Sequence, residues 1–373
     1  MTLRGLSWGH RRATGPTDAI ARAARERLSI EVEWEVQSLA GFEHGLGDAL
    51  ADRYDLIVFD HPFCGSVAAC RLMHPLDTVL ADLRDEDFVG RSLDSYRYAG
   101  HLWALPVDGA TQCAVYRPDL IQGDGLPTDW DAVVRLGERL RREGRWLGLA
   151  TLAPHGVLVL LALCANLDRP LAADPLATPF DRAVLRHAAR LLRAVADLSR
   201  PDGRAMNAID LHDAMVRDDD VVYCPAAYAY LTYAETDQRR PLRFAGFPGP
   251  DGRLRGTVLG GTGLGIARGC RDVAAASAVV RMVASADAQL DLVMRHHGQP
   301  GRAEAWSGAD ADRLFGGAHA AIRHTMEAAW TRPRFAGFIP WQATAGATVE
   351  AFLRRDLDVE GLVRLLADRW SGG

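Results

Sequence analysis

His10, the adjacent pair Asp60-His61, Asp108 and His155 are the residues of this chain whose types suit proton transfer. An imidazole set against one or two carboxylates can take a proton from one atom of a small molecule and return it to another. Such a set would support elimination, isomerisation, decarboxylation or cyclisation, with His61, Asp108, Asp60 and His10 as the working residues. Each also has a structural reading. Asp60 also reads as a cap for a helix starting near Gly65, though its strand-end position favours a cleft, and Asp108 reads also as an acceptor for turn amides after Pro106. His155 follows Pro154 at a helix start, where it either joins the helix N-terminus in holding an anion or stands beside the cap in solvent. Successive residues of a strand point to opposite faces, so Asp60 and His61 are not expected to form a dyad if the strand runs on.

Other chemistries are excluded. All 43 basic residues are arginine and none is lysine, so neither a Schiff base nor a P-loop lysine can exist. The glycine-rich run Gly260 to Gly269 misses the dinucleotide spacing: counted from Gly261 the sixth position is Ile266, and from Gly263 it is Arg268. Backbone approach or a hinge suits that run better. His296 and His297 are adjacent and diverge, no C-x-x-C or H-E-x-x-H occurs, and no G-x-S-x-G elbow is present. No metal or cofactor is therefore expected. Asp218-Asp219-Asp220 reads as a solvated turn.

The chain has 373 residues, 48% apolar and 24% charged, with a net charge of −5. The length suggests two compact lobes, and the charge argues against nucleic acid as a partner. The longest apolar stretch, 156–165, falls far short of the roughly 20 residues of a membrane span. Six cysteines lie far apart, several within apolar runs. They read as buried free thiols of a reducing compartment. The first ten residues show no apolar core and no small-residue cleavage site. A cytoplasmic location is expected on these grounds.

The elements that must position these groups alternate. Leu3 to Trp8, Ile30 to Val36 and Leu56 to Phe59 read as strands, with helices at Asp18 to Leu28 and Phe42 to Asp52 between them. A β-α-β-α-β order implies parallel strands, and ligands of such sheets bind at the carboxyl ends of strands. Trp8, His10, Asp60 and His61 fall there. His101 to Asp119 reads as two short strands joined by 106–109. Helices follow at Trp130 to Arg142, Pro154 to Cys164, Pro179 to Leu198 and Asp210 to Arg217. Leu149 to Leu152 and Val221 to Cys224 read as strands, as do Phe244 to Phe247 and Gly256 to Leu259. Helices fill most of the rest.

The crossover Gly100-His101-Leu102-Trp103-Ala104-Leu105-Pro106-Val107-Asp108 is followed by Tyr116-Arg117-Pro118-Asp119-Leu120 and Pro127-Thr128-Asp129-Trp130. Tyr54-Asp55-Leu56-Ile57-Val58 and Leu76-Asp77 precede it; Gly260-Gly261, Gln289 and Gly298-Gln299-Pro300-Gly301-Arg302 come later. In order and spacing these lines resemble the bacterial extracellular solute-binding proteins of family 1, the sugar-type receptors of ABC importers. The resemblance implies a periplasmic-binding-protein-like type II fold, α/β, with two doubly wound lobes joined by a hinge and a ligand cleft between them. It implies an N-terminal lobe of residues 1–108 and 260–308 and a C-terminal lobe of 109–259 and 309–373. It also implies that Trp8, His10, Asp60, His61, Asp108, Gln112, Tyr228, Thr262 and Trp341 line the cleft around a small polar ligand, to which the reading of the helix start adds His155. Thr111 and Gln112 alternate, so only one of them can face it. Without an export signal, an ABC permease is not the expected partner. Two uses of the fold are open: binding a small polar metabolite, or acid–base chemistry on one.

Overall fold

The computed structural model describes residues 2–121 and 125–370. The chain divides into two compact units. The first comprises Met1–Ala110, Gly260–Leu314 and Arg334–Ile339, and the second Thr111–Leu259, Phe315–Pro333 and Pro340–Gly373. The expected cuts at 108 and 308 lie at 110 and 314, and the segment Arg334–Ile339 joins the first unit. Its reason is Arg334, whose Nη1 donates to the carbonyl oxygens of Asp94, Ser95 and Arg97 at 2.6–3.1 Å. A Cβ on Gly65 would collide with the Arg334 carbonyl, so glycine there lets the segment pack down.

The first unit opens with strand β1 (Thr2–Trp8), helix α1 (Arg11–Leu28) and strand β2 (Glu31–Gln37). Helices α2 (Leu39–His44) and α3 (Asp48–Arg53) and strand β3 (Leu56–Asp60) follow. Strand β1 pairs in parallel with β2 and with β3. Residues 262–266 then add antiparallel to β3, giving a mixed sheet whose far edge is β2. Helix α1 begins seven residues before the expected Asp18, because the His10 side chain caps it by accepting from the Arg12 amide at 3.1 Å. The single helix expected over Phe42 to Asp52 is two, interrupted at 45–47 around Gly45 and Gly47.

The crossover also differs from expectation. His101–Leu102 is a two-residue strand, but Leu105–Tyr116 is one continuous strand through Pro106 and Gly109. The return, Thr257–Ala267, is likewise a strand through its glycines. Pairing overrides the local turn signals here. The quoted motifs supply the latches: Gln289 Nε2 donates to the Pro106 carbonyl, and Gln299 Nε2 to that of Gly109. The Gly109 amide donates back to the Gln299 carbonyl at 2.7 Å. Gly261 has φ +115°, and a Cβ there would strike the Asp108 carbonyl.

One ion pair lies beneath these latches. Arg12, in the first turn of α1, meets Asp108 through Nε–Oδ1 at 2.8 Å and Nη2–Oδ2 at 2.6 Å. Their side chains are 4% and 7% exposed. Burial pushes the Asp108 carboxyl above its ordinary value, while the Arg12 charge and its hydrogen bonds pull it down.

In the second unit, residues 112–116 pair antiparallel with Val221–Tyr228, which pairs in parallel with Trp146–Leu147. The strand expected at Leu149 to Leu152 is absent, and the edge strand lies earlier. Helix Trp130–Arg142 stands where expected, capped by Asp129. Helix His155–Asn166 is buried along its whole length, matching an apolar run with no polar face. The aspartates 218–220 keep their surface in solvent as expected, Asp219 at 67% and Asp220 at 40% exposure, and are braced by arginines as well. Arg200 Nη1 holds Asp218 at 2.6 Å and Asp220 at 3.0 Å, and the buried Arg117 reaches Asp219 at 3.1 Å. Arg117 also donates to the Met215 and Asp218 carbonyls, tying the end of helix Ala208–Arg217 to the sheet.

Two predictions follow from this packing. Arg12→Ala leaves a buried carboxylate unpaired and is expected to cost about 3–5 kcal/mol in urea unfolding. Arg12→Met combined with Asp108→Leu should recover most of that loss; a double variant as weak as the single one would contradict it. Acid stability supplies the second. Burial holds His155 neutral down to about 4 and His319 down to about 3. The unfolded chain takes up these protons near pH 6.5, so stability should fall as pH drops below that, by about 1.4 kcal/mol per unit for each ring. Asp218, lowered to about 2 chiefly by its hydrogen bond to Arg217, contributes stability above its ordinary 3.8 that is lost as pH falls toward 2. Replacing both histidines with glutamine should flatten unfolding midpoints between pH 6.5 and 4 and leave the later acid loss in place.

Candidate functional site

Polar and aromatic groups gather in the first unit at the carboxyl ends of β1 and β3. Trp8 closes β1, buried, with its ring stacked on His10 at 5.8 Å and 15° and against Phe42 at the same distance. His10 Nδ1 is engaged as the α1 cap, and a ring that accepts there carries its proton on Nε2. Asp60 ends β3 with its Cα paired in register to Thr262.

The condition under which Asp60 and His61 would diverge, a strand running on through both, is not met. The strand stops at Asp60, and a 3₁₀ turn over His61–Phe63, with Pro62 inside it, bends the chain. His61 Nδ1 comes to 3.1 Å from Asp60 Oδ1. The imidazole is 1% exposed and the carboxylate 20%. The edge of Tyr96 meets the His61 ring at 6.3 Å and 86°. The Tyr96 hydroxyl donates to the Phe59 carbonyl at 3.0 Å and lies 3.3 Å from that of Gly261, which fixes the phenol.

Asp108 is placed differently from a ligand acceptor, since both its oxygens are taken by Arg12. Sequence reading missed Arg12. Its signal was an arginine in the first turn of a helix, where the macrodipole disfavours a cation unless a carboxylate compensates. Ser7, Trp8, Arg12, Trp34, Asp108 and Thr262 border a cavity of about 20 Å³. That is room for one water molecule and no organic ligand.

In the second unit, Gln112 and Tyr228 stand opposite each other on paired strands. The Thr111 hydroxyl is spent on the Val258 carbonyl at 3.1 Å. Gln112 Oε1 is buried with no hydrogen-bond partner among the described residues. It is an acceptor, and a solute hydroxyl would satisfy it. His155 is the buried first residue of its helix, kept neutral by desolvation, which suits it poorly to an anion. Trp341 packs between Phe180 at 6.1 Å and Trp370 at 5.2 Å, with Nε1 donating to the Leu366 carbonyl at 3.4 Å. The structure gives it to the core beneath the last helix.

Among the described residues no group of three or more histidines, cysteines or carboxylates is placed to hold a metal ion. No single helix there is long and apolar enough to cross a membrane.

No protein-family model matches the chain, and no curated protein matches it. Solved structures do. The maltose-bound MalE3 of T. maritima superposes with a TM-score of 0.84 at 17% identity, covering 100% of this chain and 99% of that one. The GacH receptor of Streptomyces glaucescens, solved unliganded and with acarbose, gives 0.83 at 15% identity over 100% and 97%. A ribitol complex of an ABC-transporter solute-binding protein from Agrobacterium radiobacter K84 gives 0.83 at 16% over 100% and 98%. At such identities the likeness speaks for the fold: over its whole length this chain has the α/β fold of the sugar-type solute-binding proteins, the periplasmic-binding-protein-like type II fold.

Proposed function

We propose that this protein binds a small polyhydroxylated solute, a sugar or polyol, and closes over it by a hinge motion. The observation that carries the reading is the whole-chain likeness to proteins solved with maltose, acarbose and ribitol. The local chemistry agrees with it. Asp60 and Gln112 are acceptors suited to hydroxyl donors, and Tyr228 offers a phenol beside Gln112. We place the protein in the cytoplasm, handling a solute already inside the cell rather than serving an importer. Six free thiols, four of them buried, support a reducing compartment.

A specific observation favours a second reading. His61 lies within hydrogen-bond reach of Asp60, the arrangement that acid–base chemistry on the bound solute would need. Elimination, isomerisation, decarboxylation or cyclisation would all fit a carboxylate base backed by an imidazole.

Thermal-shift and calorimetric titration with maltose, D-tagatose, ribitol and D-mannitol test the binding reading. At least one should raise the melting temperature, and Asp60→Asn should weaken its binding by about 10-fold or more with the unliganded melting curve little changed. A panel without effect, together with native mass spectrometry finding no polyhydroxylated compound on protein from its own host, would sink it. If a retained compound is converted on incubation, the enzymatic reading takes over, and Asp60→Asn should then slow turnover by about 100-fold. Fractionation of host cells should place the protein with cytoplasmic markers; recovery in the periplasmic or secreted fraction would exclude the location.

A further inference from the structure

Arg302 differs from the buried arginines already described. Arg12 and Arg117 lie deep in the fold with hydrogen bonds to carboxylates and carbonyls. The Arg302 side chain is 11% exposed, yet its guanidinium makes no hydrogen bond among the described residues, and its Nε is sealed from solvent. Its one ion pair, with Asp87, spans 3.8 Å from Nη1 to Oδ2, which is beyond hydrogen-bond reach. The backbone builds this gap. The Val89 amide donates to the Gly301 carbonyl at 2.8 Å and the Ala303 amide to that of Asp87 at 3.0 Å, so the two segments run side by side. Gln289 Oε1 holds the Arg302 amide at 3.0 Å. The Phe88 ring holds the guanidinium, whose carbon lies 5.0 Å from the ring centre. Asp87 Oδ1 accepts from Arg84 Nη2 at 2.9 Å.

Arg302 and Asp87 border a cavity of about 240 Å³ in the first unit, together with Asp82, Arg281 and Ser285. Arg281 and Asp82 satisfy each other through Nη1–Oδ1 at 2.5 Å and Nη2–Oδ2 at 2.7 Å. The Ser285 oxygen accepts from the Ala288 amide at 3.1 Å, which leaves its O–H to donate. Two arginines and two aspartates line the cavity, so its walls carry no net charge. A simple anion would meet Asp87 there, and a simple cation Arg302. A molecule with an acceptor and a donor side by side satisfies both. We propose that this cavity binds the zwitterionic head of a free α-amino acid, with its carboxylate on Arg302 and the Ser285 hydroxyl and its ammonium on Oδ2 of Asp87. The two charges of an α-amino acid are joined through one carbon, which suits a guanidinium and a carboxylate 3.8 Å apart. Hydrogen bonds between ionised groups are stronger than those to neutral hydroxyls, and the buried guanidinium gains acceptors that the fold does not give it. The cavity shares no residue with the carboxyl ends of β1 and β3, and the proposal is independent of the sugar or polyol reading.

Amide NMR of the full chain labelled with nitrogen-15 tests this, with glycine, L-alanine and L-serine as probes. Each should give saturable shifts at residues 87–89, 284–289 and 301–303. Acetate, methylammonium and inorganic phosphate carry charge of one sign only and should bind at least about 10-fold more weakly. Arg302→Gln and Asp87→Asn should each weaken amino-acid binding by at least about 10-fold. Should Arg302→Gln fail to fold, Asp87→Asn decides by itself. Equal binding by acetate or phosphate would make this a plain anion site, and equal binding by methylammonium a plain cation site; either overturns the proposal. So would wild-type affinity in either folded variant, shifts confined to the surroundings of Trp8, Asp60 and Thr262, or no shift with any of the amino acids.

Discussion

The buried pair of Arg12 and Asp108 is the constraint around which the first unit is arranged. It joins residues 96 positions apart and fixes the start of α1 against the strand that leads out of this unit. Two charges removed from water are tolerable only when each is satisfied. The twofold Arg–carboxylate contact does this for Asp108. Its neighbours follow. Gly261 must be glycine to pass the Asp108 carbonyl, and Gln299 latches the next residue, Gly109. His10 caps the helix that carries Arg12. A carboxylate that sequence position marked as a ligand acceptor is a structural counter-charge.

Arginine does the same work elsewhere. Arg334 gathers three carbonyls with one nitrogen, Arg117 joins a sheet to a helix end, and Arg200 collects Asp202, Asp218 and Asp220. A planar guanidinium with five donors can close several backbone ends at once, which a lysine ammonium cannot match in geometry. A chain without lysine therefore has buried polar anchors at hand. The aspartate run at 218–220 is cross-braced in this way while staying largely exposed.

Much of the architecture was legible. The alternating helices and strands of the first sixty residues pointed to an α/β fold with parallel strands, the helices Trp130–Arg142 and Arg182–Leu198 were marked by their amphipathic pattern, and the order of short motifs over the chain resembled the type II binding fold. That fold is the one its structural neighbours share. The site was less legible. Of the residues expected to contact a ligand, Trp8 and Trp341 are buried against aromatic partners, and Asp108 is consumed by Arg12. Asp60 and Tyr228 keep some surface at strand ends. Aromatic residues in a sequence look alike whether they stack on a solute or on one another, because the apolar area that serves one use serves the other.

The sequence by itself determined the periodicities, the exclusion of lysine- and P-loop-based chemistry and the motif order, since these are properties of neighbours along the chain. Tertiary structure alone decided that Leu105–Tyr116 runs as one strand through a proline and a glycine. Hydrogen bonds from distant residues there outweigh local turn preference. It also decided the partner of Asp108, and the turn of His61 back onto Asp60. Which oxygen meets which nitrogen depends on segments far apart in sequence being packed together, and pairwise spacing does not encode that distance.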